Sequence, residues 1–237
     1  MRLDIALVSQ NIYPTRAKAV AAIKAGLVTV NNIPAKKPSQ IVADTDVISG
    51  GALPYDVGRG SLKLTHALDV FGINPESKVC LDIGASTGGF TSVLLSRGAA
   101  RVFAVDVGTD QLAPELRENP RVVSLEQTDI RTLPPIAPVD LIVIDVSFIS
   151  LADIVAALPA WGARDVVALI KPQFEVPRHI AASARGVIRS DDWHAYAINR
   201  ATDAFAAAGY VRHGDVIESP IRGGSGNIEY LGHFVRG

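Results

Sequence analysis

The sequence predicts an α/β chain, with a mostly parallel sheet covered by helices on both faces and a small, locally basic α+β module in front of it. Three observations carry this. From Lys78 onward, short apolar runs alternate with helical stretches. Those runs are apolar nearly throughout, as in "DLIVID", which is the pattern of strands buried on both faces. The first fifty residues differ in texture, because Arg2, Arg16, Lys18, Lys24, Lys36 and Lys37 outnumber Asp4, Asp44 and Asp46 there.

In the N-terminal module, "TRAKAVAAIKAG" reads as a helix with Thr15 as N-cap and Gly26 as its stop. "LVTVNNIPAKKPSQIV" reads as a strand, an Asn-rich turn and a second strand. "SGGALPYDVGRGS" has the glycine and proline density of a linker, so the expected domains are 1–48, a linker over 49–60, and 61–237. Ser61 is expected to cap a helix through "LKLTHALDVFGI". The strands expected beyond it are Lys78–Ile83, Arg101–Val107, Arg121–Leu125, Leu141–Asp145 and Val166–Ile170. Helices are expected at "FTSVLLSRG", "LADIVAALPAW" and "WHAYAINRATDAFAAAG". "VRHGDVIESP" and "IEYLGHFVRG" read as two strands joined without a helix, which makes the last one antiparallel.

Composition narrows the function. A chain of 237 residues with 48% hydrophobic content can bury a real core, and a net charge of -1 provides no global attraction to nucleic acid or membrane. One cysteine rules out an intramolecular disulfide framework, and the histidines show no metal-ligand spacing, so no metal is expected. "MRLDIALVSQ" is a poor signal peptide, and no apolar run approaches the roughly 20 residues that span a bilayer. A cytoplasmic protein without a membrane partner is the expectation.

The strand at Lys78–Ile83 runs into a glycine turn made of Asp82, Gly84, Ala85, Ser86, Thr87, Gly88, Gly89 and Phe90. A dinucleotide site carries G-x-G-x-x-G and cradles a pyrophosphate. Here an acid sits just before the first glycine, which repels phosphate and suits a ligand with a cationic amino-acid end, such as S-adenosylmethionine. Gly84 would let the backbone approach the ligand, and Gly88 and Gly89 would keep the helix start open. Asp106 and Val107 close the second strand, where a ribose-binding carboxylate is expected. Asp129 and Ile130 follow the third strand and would face an adenine edge.

Two further strand ends carry charge that packing does not need. Asp145 follows "LIVI", and Lys171 follows "VVALI" with a strand-ending proline behind it. These two are either a structural ion pair at the sheet rim or catalytic residues. Taken alone, Lys63 reads as a solvent-facing lysine and Glu229 as an edge-strand charge.

The strings "RGSLKL", "DIGASTGGFT", "IDVSFISL", "LIKPQFE" and "GNIEYL" resemble, in order and in local motif, the FtsJ-like RNA 2′-O-methyltransferases. The opening "MRLDIALVSQNIYPTRAKAVAAIKAGLVTVNN" resembles an S4-type RNA-binding domain, and the two together are similar to the hemolysin A (TlyA) family of ribosomal RNA 2′-O-methyltransferases. The resemblance implies a Rossmann-like class I methyltransferase domain, with a mostly parallel seven-stranded sheet and an antiparallel last strand, behind a small S4-like domain. It further implies transfer of a methyl group from S-adenosylmethionine to a ribose hydroxyl of cytidine in ribosomal RNA. Lys63, Asp145, Lys171 and Glu229 match the family's Lys-Asp-Lys-Glu tetrad. "PYDVGRGSLKL" departs from the family's "YVSRGGLKL" by an extra residue near Asp56 and by Ser61 in place of a glycine, while "LKL" keeps Lys63 in register.

A ribose hydroxyl is a weak acid and needs a base beside it. Lys171 is expected as that base, with Asp145 and Lys63 positioning and tuning it and Glu229 supporting the substrate side. Phe148, Pro172 and Phe174 lie beside the expected site, to shape it, stack on a nucleobase or pack the core. Expected RNA contacts are the six basic residues of the N-terminal module together with Arg59, Arg185, Arg189 and Arg222, on ribosomal RNA or ribosomal subunits. Two readings compete with the enzyme: a catalytically silent RNA-binding regulator, and a membrane-active hemolysin. The second needs an inserting amphipathic segment, for which the helix near Asp203–Ala208 is too short. An NAD-dependent oxidoreductase would need the phosphate-binding glycine pattern that is absent here.

Overall fold

The computed structural model describes residues 1–10, 12–13, 16–24, 26–43, 45–51 and 60–237, and in the second helix not the side chains of residues 17, 18 and 21. The chain divides into two units, Met1–Asp56 and Val57–Gly237. The expected cap Thr15, the candidate RNA contact Arg59 and the side chain of Lys18 lie outside the described residues.

The first unit holds helices α1 (Leu3–Ser9) and α2 (Arg16–Lys24) and strands β1 (Val28–Val30), β2 (Ile33–Pro34) and β3 (Ile48–Gly50). The strands form an antiparallel sheet in the order β2-β1-β3. Asn31 and Asn32 join β1 to β2 with φ of 53° and 65°, the left-handed pair that a tight hairpin turn demands and asparagine tolerates. The expected second strand shrinks to Ile33–Pro34, because Pro34 and Pro38 cannot donate to a ladder; near its end only an Arg2–Ile41 bridge remains. Helix α1 was not expected, yet its buried Leu3, Ala6 and Leu7 have helical spacing and pack with Ile23 and Val28. Ser49 and Gly50, the start of the expected linker, pair with β1.

The second unit is a Rossmann-like sheet. Its parallel strands are β4 (Val79–Ile83), β5 (Arg101–Val105), β6 (Val122–Leu125), β7 (Leu141–Ile144) and β8 (Asp165–Ile170). Three antiparallel strands follow: β9 (Tyr210–Arg212), β10 (Ile217–Glu218) and β11 (Tyr230–Arg236). The order is β10-β11-β8-β7-β4-β5-β6, with β9 also on β11. Eight strands therefore stand where seven were expected, because the run around "VRHGDVIESP" breaks into β9 and β10 along one edge of β11. From β4 the chain winds outward through β5 and β6, then returns to build β7 and β8 on the other side. That reversal opens a crevice at the carboxyl ends of β4 and β7.

The helices of this unit include α3 (Gly60–Phe71), α4 (Gly89–Ser96), α5 (Pro114–Arg117), α6 (Pro172–Glu175), α7 (Arg178–Ser183) and α8 (Asp191–Ala207). Ser61 lies inside α3 and does not cap it from outside. "LADIVAALPAW" is not the expected α-helix but two 3-10 stretches, Leu151–Asp153 and Val155–Trp161. Pro159 explains this, since it lacks the N–H and its ring would collide with a carbonyl one turn back. The core runs between the sheet and these elements through Leu81, Ile142, Trp161, Val166, Phe205 and Phe234, all at most 1% exposed. Among the described residues, no helix is long and apolar enough to cross a membrane.

Candidate active site

Strand register delivers the polar residues to one rim. Ile83 lies opposite Val105 and Ile144, so the residues after these strands, Gly84, Asp106 and Asp145, emerge together. Lys171 follows Ile170, and antiparallel β11 sets Tyr230 opposite Ile170, which returns Glu229 to the same end.

The four candidate catalytic residues meet as two pairs. Lys63 Nζ lies 2.6 Å from Glu229 Oε2, and Lys171 Nζ lies 2.7 Å from Asp145 Oδ1. Lys63, Lys171 and Glu229 are buried, and Asp145 is half-buried. Lys63 Nζ donates to Glu229 and Lys171 Nζ stands against Asp145, so each lysine has its own carboxylate. Asp145 Oδ1 is at ion-pair distance from Lys171 but accepts no directed hydrogen bond. The directed bond from Lys171 Nζ goes to Ser147 Oγ at 2.8 Å. Sequence reading missed Ser147; its signal was its place two residues after a charged strand end.

Asp145 borders a cavity of about 500 Å³, lined also by Gly84, Ser86, Asp106, Val107, Asp129 and Ile130 among others. A second, of about 200 Å³, is lined by Gly84, Ala85, Ser86, Thr87, Gly89, Phe90, Asp145, Ser147 and Lys171. The two share Gly84, Ser86, Asp145 and Ser147. Of the candidate cofactor residues, Asp82 and Gly88 line neither. Gly88 has φ +99°, and a Cβ there would strike the Leu116 side chain. Gly84 has φ +82°, and its Cβ would stand 2.5 Å from the main-chain oxygen of Asp145. The neighbouring strand end thus requires glycine here.

The acids differ in what they are free to do. Asp82 is fully buried, takes a 2.6 Å hydrogen bond from Thr91 on Oδ2, and has an unpartnered Oδ1. Burial pushes its carboxyl up to about 7, against the Thr91 hydrogen bond and with added repulsion from Asp145 and Asp106. Asp106 accepts from the amides of Ser86 at 2.8 Å and Gly108 at 2.7 Å, which ties the glycine turn to the loop after β5. Asp129 edges the larger cavity already engaged in an ion pair. Arg131, two residues on, grips it with two nitrogens and, by hydrogen bonding, holds its carboxyl below the usual range.

The larger cavity, edged by Asp106, Asp129 and Asp145, fits a ligand with a cationic end and ribose hydroxyls. Among the described residues, no cluster could hold a metal ion.

Two features frame the opening. Phe148 is 92% exposed with φ +66°, an unusual backbone for a bulky residue, and its ring centroid stands 5.2 Å from that of Phe174. Buried Glu175 clamps the same loop, accepting from Ser150 Oγ at 2.5 Å and Leu151 N at 2.8 Å. Burial raises the Glu175 carboxyl above its ordinary value.

The candidate RNA contacts divide similarly. Arg2 and Arg16 both reach buried Asp4, at 2.9 and 2.8 Å; the Arg2 pair is local to the start of α1, and the Arg16 pair ties α2 to α1. Lys24, Lys36 and Lys37 are exposed. Lys36 and Lys37 border a concave surface with Ile33 and Pro34. Arg185, Arg189 and Arg222 are exposed on two loops that Asn227 joins, donating to Gly186 O at 2.7 Å and accepting from Ile188 N at 2.9 Å.

The profile of the FtsJ-like methyltransferases matches residues 57–236, and that of the S4 domain matches residues 1–48. The 16S/23S rRNA (cytidine-2′-O)-methyltransferase TlyA of Mycobacterium tuberculosis is 44% identical over 97% of this chain and 88% of its own. Hemolysin A of Brachyspira hyodysenteriae is 41% identical over 99% of this chain and 100% of its own. A solved structure from Streptococcus thermophilus, provisionally named a hemolysin, is 40% identical with a TM-score of 0.73, covering 100% of this chain and 88% of that one.

Proposed function

This chain belongs to the FtsJ-like methyltransferase family, with an S4 domain in front, and from that premise we propose that it methylates the ribose 2′-hydroxyl of cytidines in ribosomal RNA, in the cytoplasm, using S-adenosylmethionine. The observation that carries the reading is the Lys171–Asp145 pair on the lining of the cavity at the crevice of the sheet, with Glu229 of the buried Lys63–Glu229 pair returned to the same strand end.

When bound, S-adenosylmethionine supplies a methyl group on a sulfonium, so the C–O bond forms as the C–S bond breaks and sulfur keeps the electron pair. Asp106 would accept from ribose hydroxyls through lone pairs its amide bonds leave free, and Asp145, on the lining of both cavities, would face the cationic end. Lys171, as the neutral amine, takes the proton of the attacking hydroxyl at Nζ. Asp145 then faces the ammonium that forms. Glu229 holds Lys63 against the substrate side, and Phe148 offers an exposed face for a nucleobase. The S4 domain and the arginines at 185, 189 and 222 supply phosphate contacts.

The reaction class has a chemical test. A 2′-O-methyl group removes the nucleophile that alkali uses to cleave RNA, so treated ribosomal RNA should yield alkali-resistant dinucleotides containing 2′-O-methylcytidine. Fully alkali-labile RNA with methyl label on the bases would assign a base methyltransferase instead.

A further inference from the structure

We propose that Ser147 is a positioning residue for the transfer: its Oγ fixes the direction in which Lys171 Nζ presents its lone pair. The proposal rests on the reading of Lys171 as base.

A neutral lysine amine has two N–H bonds and one lone pair, set at tetrahedral angles. One N–H held by a fixed acceptor stops rotation about Cε–Nζ and confines the lone pair to the two remaining staggered directions, and a nearby carboxylate disfavours the one that faces it. Asp145 Oδ1 attracts the nitrogen from 2.7 Å but accepts no directed bond, so it supplies charge without fixing rotation. Ser147 Oγ, at 2.8 Å, is the directed acceptor. It also lines both cavities, so the bond lies where a methyl donor and a hydroxyl acceptor would meet. After the transfer the proton sits on Nζ, and the ammonium keeps the same bond to Ser147 while it loses a proton to water.

The loop that carries Ser147 is built to hold it still. Asp145 N donates to Ile83 O at 2.9 Å on one side, and Glu175 anchors Ser150 and Leu151 on the other. Ser147 itself is exposed, so removing its hydroxyl leaves no hole in the core.

The test compares Ser147→Ala, Ser147→Thr and Lys171→Ala in the full chain with unmodified ribosomal subunits. It reads kcat, KM for RNA and, by calorimetry, the affinity for S-adenosylmethionine. Misplacing a reacting group by about an ångström costs up to about 100-fold. Ser147→Ala is therefore expected to lower kcat by about 10- to 100-fold at every pH, with both affinities unchanged, and Ser147→Thr to restore most of the rate. Three results would overturn the proposal: a kcat for Ser147→Ala near wild type, a loss confined to cofactor affinity, or a threonine variant as slow as the alanine one. If Lys171→Ala keeps the wild-type rate, the lysine-base reading fails and takes the proposal with it. An inactive Lys171→Ala beside an active Ser147→Ala sinks the proposal alone.

Discussion

Lys63 and Glu229, 166 residues apart in the chain, meet at 2.6 Å with both side chains buried. A buried ammonium left without its partner costs about 3–5 kcal/mol. Glu229→Ala should therefore destabilise the protein by about that amount in urea unfolding. Lys63→Met combined with Glu229→Leu should recover most of the stability and remain inactive. Recovery of activity along with stability would make the pair a structural one.

Asp82 predicts a stability that depends on pH in the unusual direction. Its carboxyl titrates near 7 in the fold, against an ordinary value of 3.8, so between these values the folded state binds the extra proton. Stability from this group is full below about pH 4, is lost as pH rises through 7, and the loss approaches roughly 4 kcal/mol. Asp82→Asn should flatten that slope. Chemical denaturation of the ligand-free protein from about pH 4 to about pH 8 checks it. An unchanged slope in the variant would place the titration elsewhere.

Gly84→Ala sets a Cβ against the main-chain oxygen of Asp145 in a left-handed backbone. The strain should cost about 1–3 kcal/mol and push the end of β7 outward. Activity should fall more than stability does, because Asp145 moves with that strand end. Parallel measurements of melting temperature and kcat check the split.

Lys36 and Lys37 are exposed on the N-terminal unit and make no ion pair among the described residues. If both contact phosphate, replacing each with alanine should weaken RNA binding and lower the salt slope of log K by about 1 per lysine. Binding titrations over a series of salt concentrations read this directly. An unchanged slope would move the phosphate contacts to other residues.

The rim acids and Lys171 were legible in the sequence because each interrupts or ends an apolar strand, where packing has no use for charge. The pairing of Lys63 with Glu229 was not, since it depends on the register of β11 against β8 and on a helix far away in the chain. Asp129 looked free because the strand pattern pointed to it, whereas the decisive neighbour was the arginine two residues later. Pro159 was visible in the sequence and should have argued against an α-helix over Val155–Trp161. Ser147 carries no charge, and its bond to Lys171 exists only once β7 and β8 lie side by side.

In the proposed reaction Lys171 takes the proton from a ribose hydroxyl. The most direct test of this step is label transfer from radiolabelled S-adenosylmethionine to separated ribosomal subunits, by the wild type and by Lys171→Ala, with cofactor binding measured in both. Label is expected in the RNA with the wild type and not with the variant, at equal cofactor affinity. Equal labelling by the two proteins, or no labelling by a wild type that binds the cofactor, would contradict it.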